Sequence, residues 1–496
     1  MGRKGPLVAI AIFCGAAALP AQQPSPPTGA GDPPIAVFFA AAANDEAPAR
    51  EALRELERHW RNGYVAPLVD IARLLPTPGR RTPDEERLDL SGDIIGDPRR
   101  PGEAGAGLRR LPPGAAARRR ITTFLERRTG QRFGDDLRAW RRWMWSQPDR
   151  PHTEYAAFKR ALYSQIDPHL GRFFPDKVPA SIRLDEIDWG GVPVNGIPPL
   201  RAPRTIAAGD ATWLDDSHVV FGVVVGGEAR AYPKRILAWH EMAIDRLGGV
   251  DLTIVYCTLC GTVIPYESAV DGRRFAFGTS GLLYRSNKLM FDEATGSLWS
   301  ALDGTPVVGS LVGRGLRLPF RTVVTTTWGE WRREHPHTTV LSLETGYERD
   351  YSEGAAYRDY FATDRLMFEV NAQDGRLKNK AEVLVLRREL IGADARPVAI
   401  SVDLLRRRPV FSFEAGGRPF VVITSRNGAN RMYERGNTTF VTREADGRVR
   451  DADGHRWRAE PDRLLSESGT ELPAVPAHRV FWFGWYAQHP DTVLHR

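Results

Sequence analysis

Two of the three cysteines in this 496-residue chain stand three positions apart, in "YCTLCG", Tyr256 to Gly261. Two thiols at that spacing in a tight turn can clamp one metal ion, cycle as a redox couple or close a structural disulfide. A nearby histidine favours the first. "HEMAIDRLGGVDLTIVYC" reads as a β-hairpin around Gly248-Gly249, a dipeptide suited to a two-residue primed turn. With the glycines in the turn, Leu247 faces Val250 and His240 falls directly opposite Cys257, where cross-strand Cβ atoms lie about 4.5–5.5 Å apart. A one-residue slip would turn one of them to the other face. Cys257, Cys260 and His240 then supply three protein ligands and leave a fourth position open, as in reactive zinc sites. Thiolates also suit Cu(I), and the thioether of Met290 is nominated to complete such a site. A copper ion is the preferred occupant, with a zinc ion as the alternative, for metal carriage or metal-dependent redox chemistry. The competing class is a thiol-disulfide partner or an extracellular binding module without metal.

Other chemistries fit less well. A thioredoxin-type dithiol opens a helix, whereas "CGTVIPYE" continues in β-prone residues. Zinc deaminases place their glutamate two positions after the histidine, but Glu241 follows His240 directly. Ser280, in "FGTSGLL", lacks the Gly-x-Ser-x-Gly spacing of a nucleophile elbow and reads as a turn serine. No Gly-rich phosphate loop follows a strand, so no nucleotide cofactor is expected, and no catalytic residue is assigned.

The elements that must position the cysteines belong to an exported chain. "MGRKG" and the apolar run that follows it form a signal peptide over residues 1–21, too short to span a bilayer comfortably. Cleavage removes Cys14 and sends the protein to the periplasm or outside the cell, with no stable transmembrane segment and one close cysteine pair in an oxidising compartment. The net charge of +7 is spread over 68 basic and 61 acidic residues that interleave. This is a solvated surface rather than a nucleic-acid groove. The denser run "RRLPPGAAARRR", Arg109 to Arg120, is expected to be a flexible loop.

Residues 22–44 read as a disordered linker. Residues 45–175 read as a helical domain: Leu53, Leu56, Trp60, Tyr64, Leu68 and Ile71 recur at three- and four-residue spacings, and Trp140, Trp143 and Trp145 form a core stripe. Short β-prone runs broken by Gly and Pro then fill residues 176–372 and 373–496. "WGEWRREHPHTTVL" from Trp328 is echoed 154 positions later by "WFGWYAQHPDTVLH" from Trp482. "GGVDLTIVYCTLCGTVIPYE" aligns without gaps on "AGGRPFVVITSRNGANRMYE", placing Thr424 and Asn427 where the first copy has Cys257 and Cys260. The expected fold is α+β, an N-terminal helical domain followed by two duplicated, mainly antiparallel β-rich units, of which the second lacks the thiols.

"GEARAYPKRILAWHE", "VYCTLCGT", "FGTSGLLYRSNKLMFDEATGSLWS" and "FWFGWYAQHPDT" together resemble a bacterial domain-of-unknown-function family, DUF3179, over most of residues 191–496. The resemblance singles out Trp239, His240, Glu241, Tyr256, Cys257, Cys260, Gly261, Thr262, Ser280, Gly281, Tyr284, Met290, Asp292, Trp299 and Ser300. It implies a shared site around the cysteines, brings no chemistry with it and names no protein partner.

Overall fold

In the computed structural model, residues 31–75 and 114–496 are described; the signal-peptide expectation over residues 1–21 lies outside them. The N-terminal region is helical, as its apolar spacing predicts. Glu46–Arg58 starts behind Asp45, whose carboxylate accepts from the Ala47 N–H, and Leu137–Ser146 starts behind Asp136, which accepts from the N–H groups of Arg138 and Ala139. Each satisfies donors that a helix leaves free at its first turn. Trp140 and Trp145 are buried in the helical core and Trp143 packs at its margin, as core residues should.

Two boundaries differ from the sequence reading. The expected linker 22–44 contains the helix Ile35–Ala41, which buries Phe38 and Ala41 in the helical core. A Pro/Ala-rich stretch lacks a long apolar period, yet about two turns with a phenylalanine inward are enough once a core receives them. The arginine run is not a loop where it is described: Gly114–Thr129 is a helix. Arg118 within it is buried and donates to the carbonyls of Ala72 and Leu75, which end the helix Val65–Leu74. Its charge serves a helix C-terminus rather than a ligand.

The β-rich region consists of several mainly antiparallel sheets, giving an α+β protein. Its first five-stranded sheet runs in the order Ile187–Trp189, Phe277–Tyr284, Asn287–Asp292, Leu298–Ser300, Pro306–Val308. Successive residues of a strand point to opposite faces, and both faces here are buried. Leu289 and Phe291 join the helical core, whereas Met290 joins the core that holds the cysteines. Buried ion pairs fasten the helices to this sheet: Asp188 meets Arg141 at 2.6 Å and Arg73 at 2.7 Å, and Lys159 reaches Asp70 at 2.7 Å and the Ile187 carbonyl at 2.8 Å. Among the described residues, no helix is long and apolar enough to cross a membrane.

Two further pairs of sheets share a strand order. Val324–Thr327, Val219–Val225, Glu228–Pro233 and Thr339–Leu341 lie side by side, the last parallel to its neighbour. His478–Phe481, Glu382–Leu386, Val398–Ser401 and Val493–His495 repeat that order and sense. Likewise Met242–Leu247, Val250–Cys257 and Thr262–Glu267 form an antiparallel meander, as do Val410–Ala415, Arg418–Thr424 and Asn430–Glu434. The echoed Trp-containing motifs agree in detail. Trp331 Nε1 donates to Thr338 Oγ1 at 2.9 Å, and Trp485 Nε1 donates to Thr492 Oγ1 at 2.8 Å.

Candidate functional site: a buried dithiol over a lysine–glutamate pair

The hairpin around Gly248-Gly249 forms with Leu247 opposite Val250, and its register holds to Met242 opposite Val255. Both glycines have positive φ, as a primed turn requires. Strand Val250–Cys257 then pairs with Thr262–Glu267, ending on Cys257 opposite Thr262. Between them the chain turns sharply: the Cys260 N–H donates to the Cys257 carbonyl at 3.2 Å, and Gly261 takes φ 63°. A Cβ on Gly261 would stand 2.9 Å from the Phe481 ring, so both the turn and its packing require glycine.

The turn brings the two sulfurs to 2.7 Å, unbridged and buried. Cys260 Sγ also lies 3.2 Å from the Ser286 carbonyl. Burial pushes both thiols up, but the bond to Cys260 and backbone N–H groups including that of Lys288 hold Cys257 below the ordinary thiol range. Burial and its bond to Cys257 push Cys260 well above that range. The pair is thus asymmetric, with Cys257 the thiol that ionises first.

Beside it sits a buried charge pair. Lys288, on Asn287–Asp292, donates from Nζ to the Glu241 carbonyl at 2.7 Å and lies 3.5 Å from the Glu241 carboxylate. Burial lowers the lysine and raises the glutamate, each disfavouring its charged form. Tyr357 OH stands 3.5 Å from the same carboxylate, and Tyr360 OH donates to the Leu259 carbonyl at 2.7 Å within the cysteine turn. Glu241 holds a left-handed backbone, φ 55°, as the cap of the helix Lys234–His240. That conformation is costly for a residue with a Cβ and marks places where the surroundings over-determine the chain.

His240 does not stand opposite Cys257. The hairpin register is as expected, but the chain becomes helical before Glu241, and the left-handed cap turns the imidazole aside. Its Nδ1 bonds the Pro198 carbonyl at 2.9 Å, its Nε2 meets Tyr351 OH at 2.5 Å, and burial lowers it to about 4. Among the described residues, the one trio of His, Cys, Asp or Glu with ligand atoms within 4.8 Å of one another is Asp451, Asp453 and His455, in a turn of the second unit. Cys257, Cys260 and His240 are not such a trio.

The remaining sequence-derived residues divide. Glu241, Tyr256 and Met290 share the neighbourhood of the cysteines: the Tyr256 carbonyl lies 3.5 Å from Lys288 Nζ, and Met290 is two positions along from Lys288 on its strand. Trp299 pairs with Met290 across the sheet and donates Nε1 to Asp292. Ser280 is no nucleophile: its hydroxyl donates to the Leu289 carbonyl at 2.5 Å and accepts from the Leu282 N–H, bridging a β-bulge. Tyr284 lies in the helical core, away from the thiols. Sequence reasoning missed Lys288, Tyr357 and Tyr360. A lysine leading directly into the apolar run "LMF" is the one available signal.

A family model described as "Protein of unknown function (DUF3179)" matches residues 194–492, more than half of the chain. The chain belongs to this family. The DUF3179 match spans the cysteine turn, Glu241, Lys288 and the covering tyrosines, while the helical region before residue 194 lies outside it. No curated protein and no solved structure matches the chain.

Proposed function

We propose that Cys257 and Cys260 act as a redox dithiol, releasing two electrons and two protons to close an intramolecular disulfide and regaining them from a thiol reductant. The observation that carries this reading is the placement of two buried, unbridged sulfurs side by side at 2.7 Å. The engagement of both His240 nitrogens elsewhere supports direct sulfur chemistry over a shared copper or zinc ion. An exported chain, as the N-terminal segment implies, would meet partners for such a couple outside the cytosol. The shared strand orders and the matched Trp-to-Thr bonds support reading the two β-rich units as copies, only the first of which carries the couple.

The test is an equilibrium titration of the purified protein against a thiol–disulfide buffer, with mass spectrometry to locate the bond. A Cys257–Cys260 disulfide that forms and reverses across a defined potential is expected. Thiols that stay free at every potential would refute the proposal. Binding of one copper or zinc ion per chain, lost in Cys257→Ser, would restore the metal reading.

A further inference from the structure

The surroundings of the pair restrict what can oxidise it. Cys257 is 4% exposed and Cys260 0%. Over the turn lie Leu259, Tyr357 and Tyr360, all buried, with Tyr360 tied to the Leu259 carbonyl at 2.7 Å and Lys380 Nζ 3.4 Å from the centre of its ring. The other wall belongs to the second unit. The Phe481 N–H donates to the Cys260 carbonyl at 2.7 Å, and a Cβ on Gly484 would lie 3.2 Å from the Cys260 Cβ. A disulfide substrate must bring two substituted sulfurs to the attacking thiolate, and its rate falls with poor access. A peroxide with a small or absent substituent needs room for little more than two oxygens.

Resting on the dithiol reading, we infer that the oxidising substrate of this pair is hydrogen peroxide or a comparably small hydroperoxide, not a protein or peptide disulfide. Cys257 is the attacking sulfur, because it is the less enclosed of the two and accepts the Lys288 backbone N–H. Its thiolate takes one peroxide oxygen as the O–O bond breaks, giving a sulfenic acid and a hydroxide that picks up a proton to leave as water. The Cys260 sulfur then attacks the Cys257 sulfur, the S–O bond breaks, and the departing hydroxide takes the Cys260 proton. Two thiols and one hydrogen peroxide become one disulfide and two waters. The 2.7 Å sulfur contact places the resolving thiol beside the sulfenic acid before further oxidation intervenes.

The full-length protein, reduced and desalted, is mixed separately with hydrogen peroxide, cumene hydroperoxide and oxidised glutathione, and disulfide formation is followed by quenching and mass spectrometry. Hydrogen peroxide should be faster than oxidised glutathione by on the order of 100-fold, with cumene hydroperoxide between them. Tyr360→Ala should narrow the gap by opening the cover to glutathione. Oxidised glutathione reacting within about threefold of hydrogen peroxide in the wild type would overturn the inference while leaving the dithiol in place. If no oxidant closes the Cys257–Cys260 bond, the dithiol reading itself falls.

Discussion

The turn that follows Val250–Cys257 in the first β-rich unit and the turn that follows Arg418–Thr424 in the second occupy the same place in the same strand order, but only the first carries thiols. The backbone gives the correspondence: the Tyr256 N–H donates to the Glu241 carbonyl and the Thr424 N–H to the Pro409 carbonyl, both at 2.8 Å. One position on, Cys257 faces Ser425. Ser425 closes its turn by donating its N–H to the Ala429 carbonyl, and only Arg426, Asn427 and Gly428 remain where the first unit has Thr258, Leu259, Cys260 and Gly261. Glu241 faces a proline, whose ring forbids the left-handed backbone that the glutamate adopts. The tyrosines that cover the thiols, Tyr357 and Tyr360, come from the segment between the strands Thr339–Leu341 and Glu382–Leu386. The strand framework is therefore indifferent to the thiols, and the strained, charged and aromatic features occur together only where the thiols are.

The largest break in this comparison is expected at Lys288. Lys288→Met removes the cation beside Glu241 and leaves a buried carboxylate without its partner. Breaking a buried pair from one side costs about 3–5 kcal/mol. Urea unfolding should show a loss of that size, and Glu241→Gln added to Lys288→Met should recover part of it. A loss below about 1 kcal/mol would mean that the pair is not a coupled element of the site.

Acid stability should report on His240 next. His240 is lowered to about 4 in the folded protein, below its ordinary 6.5, because burial disfavours the charged ring. A base with a depressed folded pKa contributes stability that is complete above the unfolded value and is lost as pH falls from about 6.5 towards 4. The contribution at stake is at most about 3 kcal/mol. His240→Gln should flatten the difference in unfolding free energy between pH 7 and pH 4.5 relative to wild type. Arg408→Gln, at the cap of the corresponding helix Val402–Arg407 in the second unit, should leave that slope in place.

These contrasts also explain what could be read from the chain and what could not. The Gly248-Gly249 turn was legible because its chemistry is local, and it fixed the register as far as Met242. His240 was misplaced because a hairpin extrapolates along its strands, while the helix Lys234–His240 ends by a left-handed residue that only tertiary packing around Glu241 stabilises. Thr424 aligns with Cys257 when no gap is allowed, whereas the second turn is one residue shorter and Ser425 takes that place. Tyr357 and Tyr360 carry no local signature at all; they reach the thiols from a segment with little regular structure. The tryptophan echo was legible for the opposite reason, since each Trp bonds a Thr seven positions on.

That echo offers a smaller effect. Thr338→Val and Thr492→Val each leave a buried indole N–H without its acceptor, which costs about 1–3 kcal/mol. Near-equal losses by thermal unfolding are expected, since the two bonds are matched in length and burial. A twofold disparity would show that the units, though alike in strand order, differ in how tightly these motifs are held.

The smallest effect is the most telling about the thiols. Ser425→Cys places a sulfur where the first unit has Cys257, and the swap of one small side chain for another on a partly buried turn should change stability by less than about 1 kcal/mol. The new thiol lacks both a neighbouring cysteine and the Lys288 strand, since the matching strand Val449–Asp451 begins two residues after Gly447, where Lys288 would fall if Asp451 stands at the place of Asp292. In a Cys257→Ser, Cys260→Ser background it should therefore react with peroxide no faster than an ordinary exposed thiol and should form no intramolecular disulfide, as measured by mass spectrometry. Reaction at the rate of the native pair would place the reactivity in the shared strand framework rather than in the lysine, glutamate and tyrosines that surround Cys257 and Cys260.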